Sequence, residues 1–191
     1  MKKIQIKDDY SIYYIHGYLS EPDSTKGVLF NKKLDAKAIK YRDCKPENLI
    51  ISECVNNIRE FIKDDEKVVL IGSSLGGLLA AKTAKDNSQI KNLILLNPAI
   101  IPPTVDINEI TDMPKRILSE MQDYDLFDKK IESDIFILIG TGDDVVPNDW
   151  GILFAKKQTA LLKFLDDDHS FTYNMDQLPQ IIGKYLNKSI N

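Results

Sequence analysis

A serine with glycines two positions away on either side is the first feature of this sequence that suggests chemistry. Gly72, Ser74 and Gly76 form G-x-S-x-G in a single frame, which places Ser74 rather than Ser73 at the centre. An apolar run precedes the motif and small residues follow it, which predicts a tight strand-to-helix turn where only glycine leaves enough room beside the serine. A serine exposed on such a turn can act as a nucleophile. The alternative is a structural glycine turn in another protein of alternating strands and helices.

A serine hydroxyl is a poor nucleophile at neutral pH unless a base lies within hydrogen-bond reach and a third group orients that base. Of the two histidines in the sequence, His169 follows the last predicted strand, and Asp143 follows the strand before it. Parallel strands bring such residues to one sheet edge, so Ser74, Asp143 and His169 are expected to lie together. Simpler alternatives exist, since Asp143-Asp144 could only shape a turn before a helix capped by Asn148, and the Asp-rich loop before His169 could be solvated.

The elements that must position these residues are predicted from the periodicity of apolar side chains. Strands are expected at 67–71, 92–96, 136–139 and 161–165, preceded by a weak hairpin over 2–7 and 10–15 and a short strand over 36–41. Four helices are expected: at 27–34, at 47–63, directly after Ser74, and around 178–186. Phe61 is expected on the apolar face of the helix at 47–63. Strands that alternate with helices predict a mostly parallel sheet that is covered on both faces.

The segment 98–131 fits no strand-helix unit and is interpreted as a small helical lid. Ile117, Leu118 and Met121 recur on one helical face within it and are predicted to line a substrate pocket above Ser74. The alternative is that the same apolar stripe is the buried side of an ordinary helix.

Length and composition limit the classes of protein. We expect residues 1–191 to form a single domain, because no linker-like stretch divides the chain. The formal net charge of −4 and the scattered lysines argue against nucleic acid as a partner. Lys7, Asp8 and Asp9 interrupt any signal-like run and no stretch has membrane-spanning length, which predicts a cytoplasmic protein without membrane insertion. Cys44 and Cys54 are expected to be free thiols, with Cys54 packed in the core.

With these residues in place, the chain resembles the α/β-hydrolase superfamily and, more narrowly, the small bacterial YqiA-type esterases. The motifs that carry the narrower resemblance are Tyr14-Ile15-His16-Gly17-Tyr18, Gly72-Ser73-Ser74-Leu75-Gly76-Gly77, Asn97-Pro98-Ala99, Thr141-Gly142-Asp143, and His169 with Phe171. The resemblance implies a three-layer α/β-hydrolase fold and supports Asp143 rather than Asp144 as the acid. It also implies an oxyanion hole made by the backbone N–H groups of Tyr18 and Leu75, with His16 as a structural residue.

The resemblance implies hydrolysis of simple carboxylic esters or thioesters through an acyl-enzyme. Ser74 is then the nucleophile, His169 the base and Asp143 the orienting acid, and a small-molecule ester or thioester is the partner. No metal or cofactor is expected, because neither histidine lies in a ligand cluster. The alternatives are a hydrolase fold retained as a binding protein, and a peptidase.

Overall fold

The structure, a computed structural model, describes residues 3–7 and 9–188. Within this part of the chain, six parallel strands form one sheet in the order β2-β1-β3-β4-β5-β6. The strands are β1 Ser11–Ile15, β2 Lys37–Ala38, β3 Val68–Ser73, β4 Ile90–Leu96, β5 Asp134–Gly140 and β6 Leu161–Leu165. The predicted α/β class with a parallel sheet is therefore confirmed.

Helices cover both faces of the sheet and make three layers. They are α1 Thr25–Leu34, α2 Ile51–Ile62, α3 Leu75–Ala84, α4 Lys115–Met121, α5 Asp125–Asp128, α6 Asn148–Gln158 and α7 Leu178–Leu186. Alternate residues of β3 point to opposite faces, so Leu70 packs with α2, α3 and α6 whereas Val69 packs with α1 and α7. No helix of the described residues has the length and apolar character needed to cross a bilayer.

Several predicted boundaries differ from the observed ones. Residues 3–7 form no strand, and the rest of the predicted first hairpin strand, Lys2, lies outside the described residues. A hairpin is ruled out because both neighbours of β1 in the sheet are other strands, β2 and β3. Residues 3–7 lie instead against α1 and α7. The Ile4 N–H donates to the carbonyl of Lys33 in α1 at 2.8 Å. The strand expected over 36–41 is reduced to the two residues of β2.

The helix expected over 47–63 is confirmed in its core but begins at Ile51, after a short 3-10 turn. Its predicted apolar face is buried with one exception, Phe61, which is 51% exposed at the helix end and meets the ring edge of Tyr13. Cys54 is buried on this face as predicted, and burial raises the pKa of its thiol to about 11.

The segment 98–131 lies between β4 and β5 and contains a 3-10 turn, α4 and α5. Its longer helix, α4, begins at Lys115, directly after Pro114. Polar contacts at several points join the segment to the rest of the fold, among them the following two. A Glu120 carboxylate oxygen accepts from the Ile51 N–H at 2.9 Å, and the Lys82 ammonium lies 2.8 Å from the carboxylate of Asp123. These contacts hold the segment in place at the carboxyl edge of the sheet.

Candidate active site

Ser74 lies at the junction of β3 and α3, in a backbone conformation that serine rarely adopts. Its φ is 55° and its ψ is −121°, and such a conformation typically costs about 1–3 kcal/mol. The glycines of the motif make this turn possible. A Cβ on Gly72 would lie 2.3 Å from the Gly76 carbonyl oxygen, and a Cβ on Gly76 would lie 2.1 Å from the Ile15 carbonyl oxygen. The spacing of G-x-S-x-G thus reflects close packing of β1, β3 and α3 around the serine.

The loops after β5 and β6 bring Asp143 and His169 into contact. Nδ1 of His169 lies 2.8 Å from Oδ2 of Asp143, and the Asp143 side chain is only 1% exposed. Oδ1 of Asp143 also accepts hydrogen bonds at 2.9 Å from the backbone N–H groups of Val145 and Val146. An anionic acceptor beside Nδ1 favours the tautomer with the proton on Nδ1, which leaves Nε2 free to accept a proton.

Asp144 is exposed, in contrast to its neighbour Asp143. The structure therefore distinguishes two acids that sequence spacing alone separates weakly. Asn148 does not cap the following helix as the alternative interpretation assumed. It is the first residue of α6, and its side-chain amide donates to the Thr141 carbonyl at 3.3 Å.

The acidic residues before His169 shape its loop. Asp167 is 3% exposed, and its carboxylate accepts from the backbone N–H groups of Tyr173 and Asn174 at 3.1 and 2.7 Å. Oδ1 of Asp168 accepts from the Thr172 N–H at 3.0 Å. Hydrogen bonds from the side chain and then the backbone of Thr172 hold the pKa of the Asp168 carboxyl below its ordinary value. These bonds hold the loop in the shape that presents the imidazole.

Asn97, a residue to which the sequence analysis gave no role, ties the histidine loop to the sheet. It is 2% exposed, with a φ of 43°, at the end of β4. Its Nδ2 donates to the carbonyls of His169 and Asp168 at 3.0 and 3.2 Å, and its Oδ1 accepts from the Gly140 N–H at 2.8 Å. The sequence offers two signals for it, its place in the motif Asn97-Pro98-Ala99 and its position between a buried strand and a proline.

The two amides nominated for an oxyanion hole border the same cavity as Ser74. Leu75 is the first residue of α3, and the loop after β1 carries Tyr18. In the described part of the chain, neither N–H donates to a protein acceptor, as expected of the first turn of a helix for Leu75. Both donors are therefore free to bind a ligand oxygen.

Arg42, which the sequence analysis did not single out, braces the loop that carries Tyr18. Its guanidinium donates to the carbonyls of Ser20 and Tyr18 at 2.9 and 3.3 Å and lies 3.0 Å from a Glu21 carboxylate oxygen. His16 at the start of this loop is 1% exposed, and its ring stacks on Tyr41 with centroids 4.4 Å apart. Burial lowers the pKa of His16, which suits a neutral structural histidine.

A cavity of about 540 Å³ opens at the carboxyl edge of the sheet and is lined by both Ser74 and His169. Leu118 and Met121, which were predicted to line the pocket, contribute to its wall. Ile117 does not line it. Ile117 is fully buried in the core. The apolar face of α4 carries all three side chains, but only part of that face borders the cavity.

No cluster of three or more His, Cys, Asp or Glu side chains that could hold a metal ion exists within residues 3–7 and 9–188.

Comparison with known proteins shows the family of the chain. Residues 11–185 match the uncharacterised protein family UPF0227. The chain belongs to this family. UPF0227 is the family of the YqiA-type esterases, so the resemblance predicted from the motifs is confirmed. No curated protein matches the sequence.

Solved structures of α/β-hydrolases resemble the chain over nearly its whole length. Est1E from Butyrivibrio proteoclasticus is 18% identical with a TM-score of 0.78, over 97% of this chain and 90% of that one. The mouse alpha/beta hydrolase domain-containing protein 10 is 19% identical with a TM-score of 0.73, over 98% and 93%. A monoacylglycerol lipase from Paleococcus ferrophilus is 15% identical with a TM-score of 0.73, over 93% of each chain. At these identities the likeness establishes the α/β-hydrolase fold.

Proposed function

We propose that the protein is a serine hydrolase that cleaves carboxylic esters or thioesters through an acyl-enzyme. One observation carries the proposal. Ser74, on its strained turn, lines the same cavity as His169, and Nδ1 of His169 lies 2.8 Å from a nearly inaccessible Asp143 carboxylate. A nucleophile after β3, an orienting acid after β5 and a base after β6, all at one edge of the sheet, are the parts that acyl transfer requires.

In this mechanism, Oγ of Ser74 attacks the substrate carbonyl carbon and its proton passes to Nε2 of His169. The carboxylate of Asp143 accepts the Nδ1–H and stabilises the imidazolium. The N–H groups of Tyr18 and Leu75 donate to the tetrahedral oxyanion, a contribution of about 3 kcal/mol per donor. Collapse of the tetrahedral species breaks the bond to the leaving alcohol or thiol, which takes the proton from His169. Water then repeats the sequence on the acyl-enzyme and releases the acid.

The cavity supports a small substrate with an apolar part. Apolar side chains from the segment 98–131 and from the loop and helix after β5 form one wall, among them Met113, Leu118, Met121, Val146 and Trp150. We infer that the acyl chain lies against this wall and that short acyl chains fit best, given a volume of about 540 Å³.

The proposal is tested by a turnover screen of purified protein against 4-nitrophenyl esters of increasing chain length and against acyl-CoA thioesters. Wild-type protein should hydrolyse the short esters, and Ser74→Ala should lower kcat by about 10³-fold or more. Ser73→Ala is the matched control, since it removes the neighbouring hydroxyl, and it should keep most of the activity. Equal activity of wild type and Ser74→Ala would rule out the mechanism.

A binding protein that retained the fold would bind small esters without turnover, so the same screen separates that alternative from an enzyme. A peptidase would cleave unstructured peptides in preference to nitrophenyl esters. No described contact favours either alternative.

A further inference from the structure

Lys26 is a charged residue of the cavity for which the mechanism has no use. It lies in the first turn of α1 and lines the cavity together with Ser74 and His169. Among the described lining residues, it is the one lysine or arginine. The positive end of the α1 helix dipole adds to the potential at this position. A single cation in the same cavity as the proposed nucleophile can bind an anionic group of a ligand.

The ammonium of Lys26 has no carboxylate within 4 Å in the described part of the chain. Asp167 and Asp168 are near enough to attract it, but their oxygens accept hydrogen bonds from the amides of the histidine loop. Lys82, by contrast, is part-buried and lies 2.8 Å from Asp123. Burial lowers the pKa of Lys26, which reflects the cost of holding a part-buried ammonium without a close partner. A bound anion would remove that cost.

The parts of the chain that line the cavity differ in character. The start of α1 contributes Lys26 with the hydroxyl residues Ser24 and Thr25, whereas segment 98–131 contributes apolar side chains and the exposed Asp112. An anionic group is therefore favoured beside the start of α1 and disfavoured beside segment 98–131. The apolar part of the substrate lies against that segment.

The position of the base indicates which part of the substrate carries the anion. His169 must deliver its proton to the leaving oxygen or sulfur, so the leaving group lies beside His169. Ser170 follows His169 and lines the cavity, and the Asp168 carboxylate acts on the ammonium of Lys26. The leaving group is thus the part of the substrate that lies nearest to Lys26.

We propose that Lys26 binds a carboxylate carried by the leaving group, so that the preferred substrates are esters of carboxylated alcohols or phenols with an apolar acyl part. The proposal rests on the proposed hydrolase function and names its substrate class. A singly charged carboxylate suits the site better than a phosphate, because one lysine supplies one positive charge and Asp167 and Asp168 repel further negative charge.

The test compares two chromogenic esters that differ in one group. They are the butyrate esters of 3-hydroxy-4-nitrobenzoate and of its carboxamide, which carry a charged or a neutral group at the same place on the leaving phenol. For wild type, kcat/KM for the carboxylate ester should exceed that for the carboxamide ester by about 10-fold to 100-fold, the size of a charge-assisted hydrogen bond. In Lys26→Met the ratio should fall toward one, and in Lys26→Arg most of it should return.

Lys32→Met is the matched control, because Lys32 is an exposed lysine of the same helix. Its ratio should equal that of wild type. A wild-type ratio near one, or a ratio that survives in Lys26→Met, would overturn the proposal. A third ester, mono-4-nitrophenyl adipate, carries the carboxylate on the acyl side, and a Lys26-dependent preference for it over 4-nitrophenyl butyrate would overturn the assignment to the leaving group.

A binding measurement separates this proposal from the proposed function. In Ser74→Ala protein, which should not turn over substrate, calorimetric titration with 3-hydroxy-4-nitrobenzoate should give tighter binding than with the carboxamide. The additional Lys26→Met substitution should remove the difference, and a difference that remains would contradict the proposal. Failure of the hydrolase function would instead show as ester turnover that is absent in wild type or unchanged in Ser74→Ala.

Discussion

Replacing Asp143 with asparagine should lower kcat strongly while leaving the fold intact. Oδ1 of Asp143 accepts from the Val145 and Val146 amides, both at 2.9 Å, and Oδ2 lies 2.8 Å from Nδ1 of His169. An asparagine keeps both amide bonds only with its oxygen at the Oδ1 position. Its NH₂ group then takes the position of Oδ2, 2.8 Å from Nδ1 of His169, where two donors face each other. The one side-chain acceptor left for the Nδ1–H is the oxygen at the Oδ1 position, 2.9 Å away, which already accepts the two amide N–H groups.

The expected loss in kcat follows from that geometry. A donor at the Oδ2 position favours the tautomer with the proton on Nε2, so His169 can no longer accept the proton of Ser74. The charge that stabilises the imidazolium is also removed. Together these effects should lower kcat by about 10³-fold to 10⁴-fold, or about 4–5.5 kcal/mol of transition-state stabilisation. The free energy of unfolding should fall by only about 1–2 kcal/mol, because the loop keeps its amide bonds.

Asp144→Asn is the matched control, because it makes the same change at an exposed neighbour. It should alter kcat by less than about twofold and stability by less than about 0.5 kcal/mol. The assay is kcat for 4-nitrophenyl butyrate, with urea unfolding of each variant to verify the fold. A larger loss in Asp144→Asn, or a loss below tenfold in a folded Asp143→Asn, would refute the assigned role of Asp143.

Three further predictions concern the surroundings of the site. Asn97→Gly removes the bonds to the histidine loop without straining the positive φ, and should lower kcat by about tenfold and stability by about 1–3 kcal/mol in urea unfolding. Met121→Ala should raise the ratio of kcat/KM for octanoate over butyrate esters by about threefold or more, whereas Ile117→Ala should cost about 2–4 kcal/mol of stability and leave the ratio unchanged. Because burial lowers the pKa of His16, the unfolded chain binds more protons below pH ~6.5, so the melting temperature should fall between about pH 7.5 and 5.5, and less steeply in His16→Gln.

The fold and the candidate triad were accessible from sequence because their signals are local. An apolar run followed by G-x-S-x-G predicts both the buried strand and the turn. Asp143 and His169 each follow a predicted strand, and parallel strands bring their carboxyl ends to one edge. The fold and family predictions rest on the same motifs, and both are confirmed.

The contacts that support the site could not be predicted from the sequence, because they join side chains to backbone atoms of loops that are distant in sequence. Asn97 bonds to carbonyls 71 and 72 residues away, and Arg42 bonds to carbonyls of the loop after β1, contacts that no spacing reveals. Periodicity also placed Ile117 on the correct face of α4 but gave no information about which residues of that face border the cavity. The predicted hairpin failed for a related reason, since the partners of β1 are distant strands.

Labelling with a fluorophosphonate probe, followed by peptide mapping, tests the central claim most directly. The probe forms a covalent bond only with a serine activated by a base, so it reports the nucleophile without any assumption about substrate. We predict a single adduct on Ser74, present in Ser73→Ala, absent in Ser74→Ala and strongly slowed in Asp143→Asn. An adduct on another serine, or undiminished labelling of Ser74→Ala, would contradict the account.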